Sequence, residues 1–73
     1  MAAVQVLVDA VDEPVAERIA QRVRAAGVQV AMVRDRGRVA FDLASPELGV
    51  AELRATLAQA VMRIVGDVER ISA

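Results

Sequence analysis

The spacing of apolar residues changes three times along this chain of 73 residues, and these changes restrict the folds it can adopt. Apolar side chains alternate with others in residues 3–9, which is typical of a strand. In residues 13–26 they recur at every third or fourth position, which indicates an amphipathic helix. The same two spacings return further along, first for two strands and then for a second helix. The pattern predicts the order β-α-β-β-α in a single domain spanning residues 1–73.

Cap and turn residues separate the predicted elements. Asp12 and Pro14 favour helix entry, because an acidic N-cap and a first-turn proline suit the start of a helix. Gly27 predicts the end of that helix. The polar segment 34–38 contains a glycine and predicts a tight hairpin between the second and third strands. Ser45-Pro46-Glu47 repeats the N-cap and proline pattern, with the main second helix beginning near residue 50.

The predicted strands place their larger apolar residues on one face. If the first two strands are parallel neighbours, a right-handed crossover puts the first helix on that face, and the second helix packs beside it. The resulting core would contain Val4, Val6, Val8, Val28, Val30, Met32, Val39, Phe41 and Leu43.

The C-terminal segment has two interpretations. Gly66 resembles a helix stop, so residues 68–73 would form a short fourth strand and complete a ferredoxin-like two-layer sandwich. Alternatively, Val68 and Ile71 continue the apolar stripe of the second helix, which gives a three-stranded sheet with one long helix over residues 50–72. Glycine disfavours a helix interior by only about 1 kcal/mol, so both interpretations stay open.

The chain resembles small ferredoxin-like modules in its order of elements, in Gly27-Val28-Gln29-Val30 and in Gly66-Asp67-Val68-Glu69-Arg70-Ile71. Heavy-metal-associated domains and ACT regulatory domains are such modules. The resemblance to ACT domains implies a small metabolite bound at a dimer interface. The CxxC motif of the metal-binding domains would fall in residues 9–13, which contain no cysteine, so a copper or zinc chaperone role is not implied.

Composition excludes most catalytic chemistry. The chain has no Cys or His, and all nine of its cations are arginine. Thiolate nucleophiles, imidazole bases and lysine Schiff bases are therefore absent. Asp9, Asp12 and Glu13 offer oxygen ligands for a hard cation, but helix capping explains Asp12 and Glu13 more simply. We expect a protein that is not an enzyme and uses no metal and no cofactor.

Charge and hydropathy bear on location. The formal net charge is −1, which gives little general attraction to nucleic acid or to an anionic membrane. The first residues lack the basic start of a secretory signal, and they reach a charge at Asp9. No apolar run approaches the roughly 20 residues that span a bilayer. We expect a cytoplasmic protein without membrane contact.

The sheet face opposite the helices carries the clearest functional indication. Its predicted centre is apolar and its rim polar, which is the pattern of an association surface. Because small domains often gain stability by oligomerising, we expect a self-associating protein-interaction or regulatory module, most simply a homodimer. The second half of the long helix would add to the interface if it extends beyond the sheet. The predicted interface comprises Leu7, Ala31, Val33, Ala40, Val68 and Ile71.

Three arginines, Arg34, Arg36 and Arg38, alternate through the predicted hairpin. We interpret them as a charged rim for the interface. An RNA or other nucleic-acid site is the alternative, but Asp35 interrupts the run. No Tyr or Trp is present to stack on a base, and Phe41 is expected in the core.

Overall fold

A computed structural model describes residues 1–9 and 12–72, without the side chains of Asp35 and residues 66–72. The elements follow the predicted order β-α-β-β-α. The architecture is α+β, with two helices and a three-stranded antiparallel sheet. The elements are β1 (Ala2–Asp9), α1 (Glu13–Ala25), β2 (Gln29–Asp35), β3 (Arg38–Ser45) and α2 (Val50–Ser72).

The strand order in the sheet is β1-β3-β2, with the last strand of the chain in the centre. β3 pairs antiparallel with both neighbours, so β1 and β2 run parallel to each other without touching. The first two strands are therefore parallel but not neighbours, so the condition considered for the crossover is met only in direction. The reason is that the hairpin folds β3 back alongside β2, on the side where β1 lies.

A two-residue turn joins β2 to β3. Asp35 pairs with Arg38, and the residues between them both have positive φ: +50° for Arg36 and +81° for Gly37. This is the dihedral signature of a type I′ turn, which matches the twist of a hairpin. The predicted tight hairpin is confirmed.

Both helices cover one face of the sheet. α1 lies over β2, and α2 lies beside α1 over β1 and β3. Phe41, in the central strand, has no exposed surface and pairs across the sheet with Val6 on one side and Met32 on the other. All nine predicted sheet positions either belong to the core or pack against it. The buried side chains of the helices include Ala16, Ile19, Ala20, Val23, Leu53, Leu57, Ala60 and Ile64.

The helix ends follow the predicted positions with two differences in detail. Gly27 has a φ of +87° and donates its backbone N–H to the carbonyl of Arg24 at 2.9 Å, as expected for the end of α1. Asp12 occupies the N-cap position of α1, but its side chain makes no capping hydrogen bond.

The second difference concerns the entry to α2. The buried hydroxyl of Ser45 accepts backbone hydrogen bonds from Glu47 and Leu48, at 3.1 and 3.2 Å. It therefore stabilises the turn that follows β3. The residue before the helix is Gly49, whose N–H donates to the Glu52 carboxylate at 3.3 Å. Glu52 thus satisfies a donor at the helix start, as the acidic residue of a capping box does.

The C-terminal segment is helical as far as Ser72, so the long-helix interpretation is confirmed over the described residues. Residues 68–72 belong to α2, and they form no fourth strand. Gly66 lies inside the helix, because its cost of about 1 kcal/mol is small beside the packing of the rest of α2. Within residues 1–9 and 12–72, no helix is long and apolar enough to cross a membrane.

Candidate functional site

The outer face of the sheet brings together the four strand residues predicted for the interface. Leu7 and Val33 lie directly across from Ala40 on the two sides of β3, so the three form one row across the sheet. Leu7 is 55% exposed and Val33 is 53% exposed, while Ala40 between them is buried. Ala31 is exposed two residues before Val33 on the same face. We call Leu7, Ala31, Val33 and Ala40 the outer patch.

The rest of the outer face combines three alanines with three polar side chains. The next rows contain Gln5–Asp42–Ala31 and Ala3–Ala44–Gln29. Together with the underlying strand backbone, these residues line an open depression of about 520 Å³. The Leu7 and Val33 side chains stand exposed in the row beside this hollow, so the outer face has an apolar end and a hollow end.

A hydrogen-bonded pair and an ion pair border the outer patch. The Gln5 amide Nε2 donates to Asp42 Oδ1 at 2.9 Å on the hollow side. On the turn side, Arg38 Nε lies 2.9 Å from Asp9 Oδ1. All four side chains project from the outer face, so the patch has an apolar centre between two polar pairs. That arrangement is typical of association surfaces.

The three hairpin arginines do not form one basic patch. Arg34 points toward the helices, and its Nη1 lies 3.3 Å from Glu13 Oε2 at the start of α1. Arg38 projects from the opposite face, where it pairs with Asp9. Arg36 lies exposed at the tip of the turn. Only Arg38 therefore borders the outer patch, in the rim position proposed for all three.

The acidic residues near the start of α1 are separated in the same way. Asp9 and Glu13 each pair with an arginine, on opposite faces of the sheet. Asp12 occupies the N-cap position between them. In the part of the chain that the structure describes, no three carboxylates come close enough to hold a metal ion.

The two remaining interface residues, Val68 and Ile71, lie in the helical part of α2 whose side chains are outside the described residues. Their contribution to an interface stays a prediction.

One apolar surface was not predicted from the sequence. Val50, Met62 and Val65 are exposed on α2. All three precede the C-terminal turns, where the sequence predicted the interface residues of this helix. The spacing of Val50, Val61 and Val65 around the helix is the signal that could have revealed it. These three valines lie on one flank of the core stripe together with the exposed Arg54, while Met62, Gln59 and Arg63 lie further around the helix.

Comparisons with protein families, curated proteins and solved structures found no match to this chain.

Proposed function

We propose that this protein is a non-catalytic module that self-associates through the outer face of its sheet. The observation that carries the proposal is the row Leu7–Ala40–Val33, in which two large apolar side chains stand more than half exposed on either side of a central alanine. An ordered apolar row within a polar border is a better candidate interface than scattered surface aliphatics, which are normal.

The shape of the outer face favours a second copy as the partner. Consider two copies stacked through their outer faces and related by a two-fold axis that lies midway between the sheets and runs perpendicular to the strands. This axis reverses the order of the rows in one copy relative to the other. With the axis between the first two rows, Val33 lies opposite the small side chain of Ala31, and Leu7 lies opposite Gln5. A surface that complements itself in this way meets the requirement of an isologous dimer. Stacked sheets pack about 10 Å apart, with interdigitated side chains of this kind.

The topology supports a finer proposal about the fold. We propose that the fold is a ferredoxin-like βαββαβ sandwich without its last strand, and the order β1-β3-β2 with both helices on one face supports this. A regulatory or adaptor role suits such a module, since the fold hosts many functions and the function depends on the exposed surface.

The substitution Val33→Glu tests the outer-patch interface. We expect it to raise the dissociation constant of the face-to-face contact at least about 100-fold, because a two-fold dimer would bury the new charge twice. The measurement is solution mass by light scattering over a concentration series.

The matched control is Met62→Glu, which places the same charge at a residue that is 75% exposed on α2. This variant should keep the mass of the unmodified protein. If Val33→Glu also keeps that mass at every concentration, the outer patch is not the interface. Far-ultraviolet circular dichroism establishes that both variants are folded.

The hollow on the outer face supports a second candidate function, the binding of a small metabolite, which is an alternative to the two-fold contact described above because both would occupy the hollow. Its volume of about 520 Å³ falls in the range of ligand sites, and Gln5, Gln29 and Asp42 supply polar groups around an alanine floor. A ligand at 100 times its dissociation constant should stabilise the fold by about 2.7 kcal/mol.

A thermal-shift screen of polar metabolites against the full chain measures this effect. A hit that disappears in Asp42→Ala would support the second candidate. A hit that is unchanged by this substitution would place the ligand elsewhere. A panel with no stabilising compound would count against metabolite binding.

A further inference from the structure

We propose that the free edge of β1 is a second self-association site, at which β1 pairs antiparallel with β1 of another copy. The two three-stranded sheets then become one continuous sheet, and the two α2 helices pack against each other above the joint. This inference extends the proposed self-association to a different surface, and it does not require the outer patch to be correct.

The two edges of the sheet are protected to different degrees. On β2, the guanidinium of Arg24 donates to the backbone carbonyl of Val30 at 3.1 Å, so a charged side chain occupies an acceptor on that strand. The last turn-side residues of β2 also include the charged Arg34, which lies beside Glu13. Charged residues at an edge are a common device against unwanted strand pairing.

No such protection of β1 is found among the residues that the structure describes. Within the described residues β1 pairs only with β3, and its opposite edge has no neighbouring strand. Its eight residues contain no proline and no charge before Asp9. A long, uncharged edge strand is a template for pairing with another chain.

The flank of α2 above this edge carries three valines around one exposed cation, Arg54. Leu53, Leu57 and Ile64 point into the core, and the side of α2 carrying Thr56, Gln59 and Arg63 faces α1. Helical geometry places Val50, Val61 and Val65 on the opposite side. Because α1 lies over β2 and α2 over β1, this opposite flank overlooks the open edge of the sheet.

The exposure of that flank is what a second copy would remove. Val50 is 40% exposed and Val65 is 39% exposed, while Val61 is half-buried. α2 lies above β1 and β3, so its axis is about one strand spacing, roughly 5 Å, from the new joint. The two α2 helices would then be about 10 Å apart, within the usual range for packed helices. The same contact covers both the free edge and these valines.

The charge pattern of β1 permits pairing with itself. In an antiparallel pair, residues directly opposite each other project to the same face, so a two-fold axis must pass beside a single residue. If the two-fold axis passes beside Gln5 or Val6, almost all residues of β1 pair with residues of β1 in the second copy. In either register, the two Asp9 carboxylates lie at opposite ends of the joint and do not face each other.

The edge and face contacts are geometrically compatible. The edge axis is perpendicular to the sheet and the face axis lies parallel to it, so the two axes can belong to a tetramer with D2 symmetry. Removing one contact should then leave a dimer that is held by the other. This property allows the two proposals to be tested separately.

The test combines Val65→Arg with Val33→Glu, singly and together, with Met62→Arg as the matched control on the exposed side of α2. Val65→Arg should raise the dissociation constant of the edge contact at least about 100-fold, since it would add two cations to a helix contact in which each copy already places Arg54. Solution mass is measured for each variant over a concentration series. Hydrogen exchange is measured for the amides of β1, half of which face the open edge in a single copy.

The edge proposal requires Val33→Glu to remain a dimer with slowly exchanging β1 amides. It also requires the double variant to be a monomer in which every second β1 amide exchanges rapidly. If Val33→Glu alone is a monomer, the edge contact does not form, while the outer-patch proposal stands. If Val65→Arg changes neither mass nor exchange in the Val33→Glu background, the edge proposal is wrong. A protein that is monomeric without substitution overturns both proposals.

Discussion

Replacing Phe41 with alanine is expected to lower the free energy of unfolding by about 3–5 kcal/mol, the range measured for truncating a buried phenylalanine. Phe41 is the only aromatic residue of the chain and is fully buried in the central strand. It lies between Val6 and Met32 in the sheet and beneath both helices, so no single neighbour can move to fill the space it leaves.

This loss is large for a domain of this size. At roughly 0.05–0.15 kcal/mol per residue, a chain of 73 residues is stable by about 4–11 kcal/mol. Phe41→Ala should therefore keep little of its free energy of unfolding, and most of its molecules should be unfolded at low urea concentration. Since the chain has no Trp or Tyr, the transition is best followed by circular dichroism.

Phe41→Leu is the control that keeps the experiment informative if the alanine variant does not fold. A smaller apolar side chain retains most of the contacts, so we expect a loss of about 1.5 kcal/mol or less. A loss below 1 kcal/mol for Phe41→Ala itself would show that Phe41 is not at the centre of the core.

Sequence patterns predicted the elements well because each one has a single apolar face. Val4, Val6 and Val8 can share a face only in a strand, whereas Ile19 and Val23 share one in a helix. Burial of that face is also what stabilises the element in the structure. Local spacing and tertiary packing therefore led to the same assignment.

The order of strands could not be obtained in this way. β1, β2 and β3 all show alternating apolar residues, and alternation is silent about which strand lies beside which. The one available signal was the concentration of bulky residues in β3, where Phe41 and Leu43 are more deeply buried than the valines of β1. A central strand has neighbours on both sides, and it therefore tolerates the largest buried side chains.

The length of the turn explains why the arginines of the hairpin do not share one face. Arg34 and Arg38 are four positions apart, which would place both on one face of an uninterrupted strand. The two-residue turn instead pairs Asp35 with Arg38, so Arg34 shares its face with Val39. Arg34 and Arg38 therefore project to opposite faces, and each finds a separate carboxylate. Only the exact length of the turn determines this outcome.

The choice between helix and strand for the C-terminal segment depends on a small difference in free energy. The stripe Leu57, Val61 and Ile64 continues at helical spacing through Val68, and a single glycine disfavours this continuation by about 1 kcal/mol. The cooperative extension of a helix that is already anchored to the sheet outweighs that cost. Because the helix continues, residues 68–72 are not available as a fourth strand beside β1.

Two leucine-to-alanine substitutions separate the stability of one copy from that of an assembly. Leu53 is fully buried at the start of α2, so Leu53→Ala should lower the free energy of unfolding by about 2–5 kcal/mol at any protein concentration. Leu7→Ala makes the same chemical change on the outer patch, where half the side chain is exposed. In a dilute solution of single copies its effect should stay within about 0.5 kcal/mol.

The difference between the two variants should therefore depend on concentration. If the outer patch is an interface, self-association stabilises the unmodified protein more as its concentration rises, and Leu7→Ala loses part of that gain. Thermal unfolding measured over a 100-fold range of concentration should show Leu7→Ala falling progressively behind the unmodified protein. The deficit of Leu53→Ala should stay constant, because it arises inside each copy. A Leu7→Ala variant that matches the unmodified protein throughout the range would remove Leu7 from any interface.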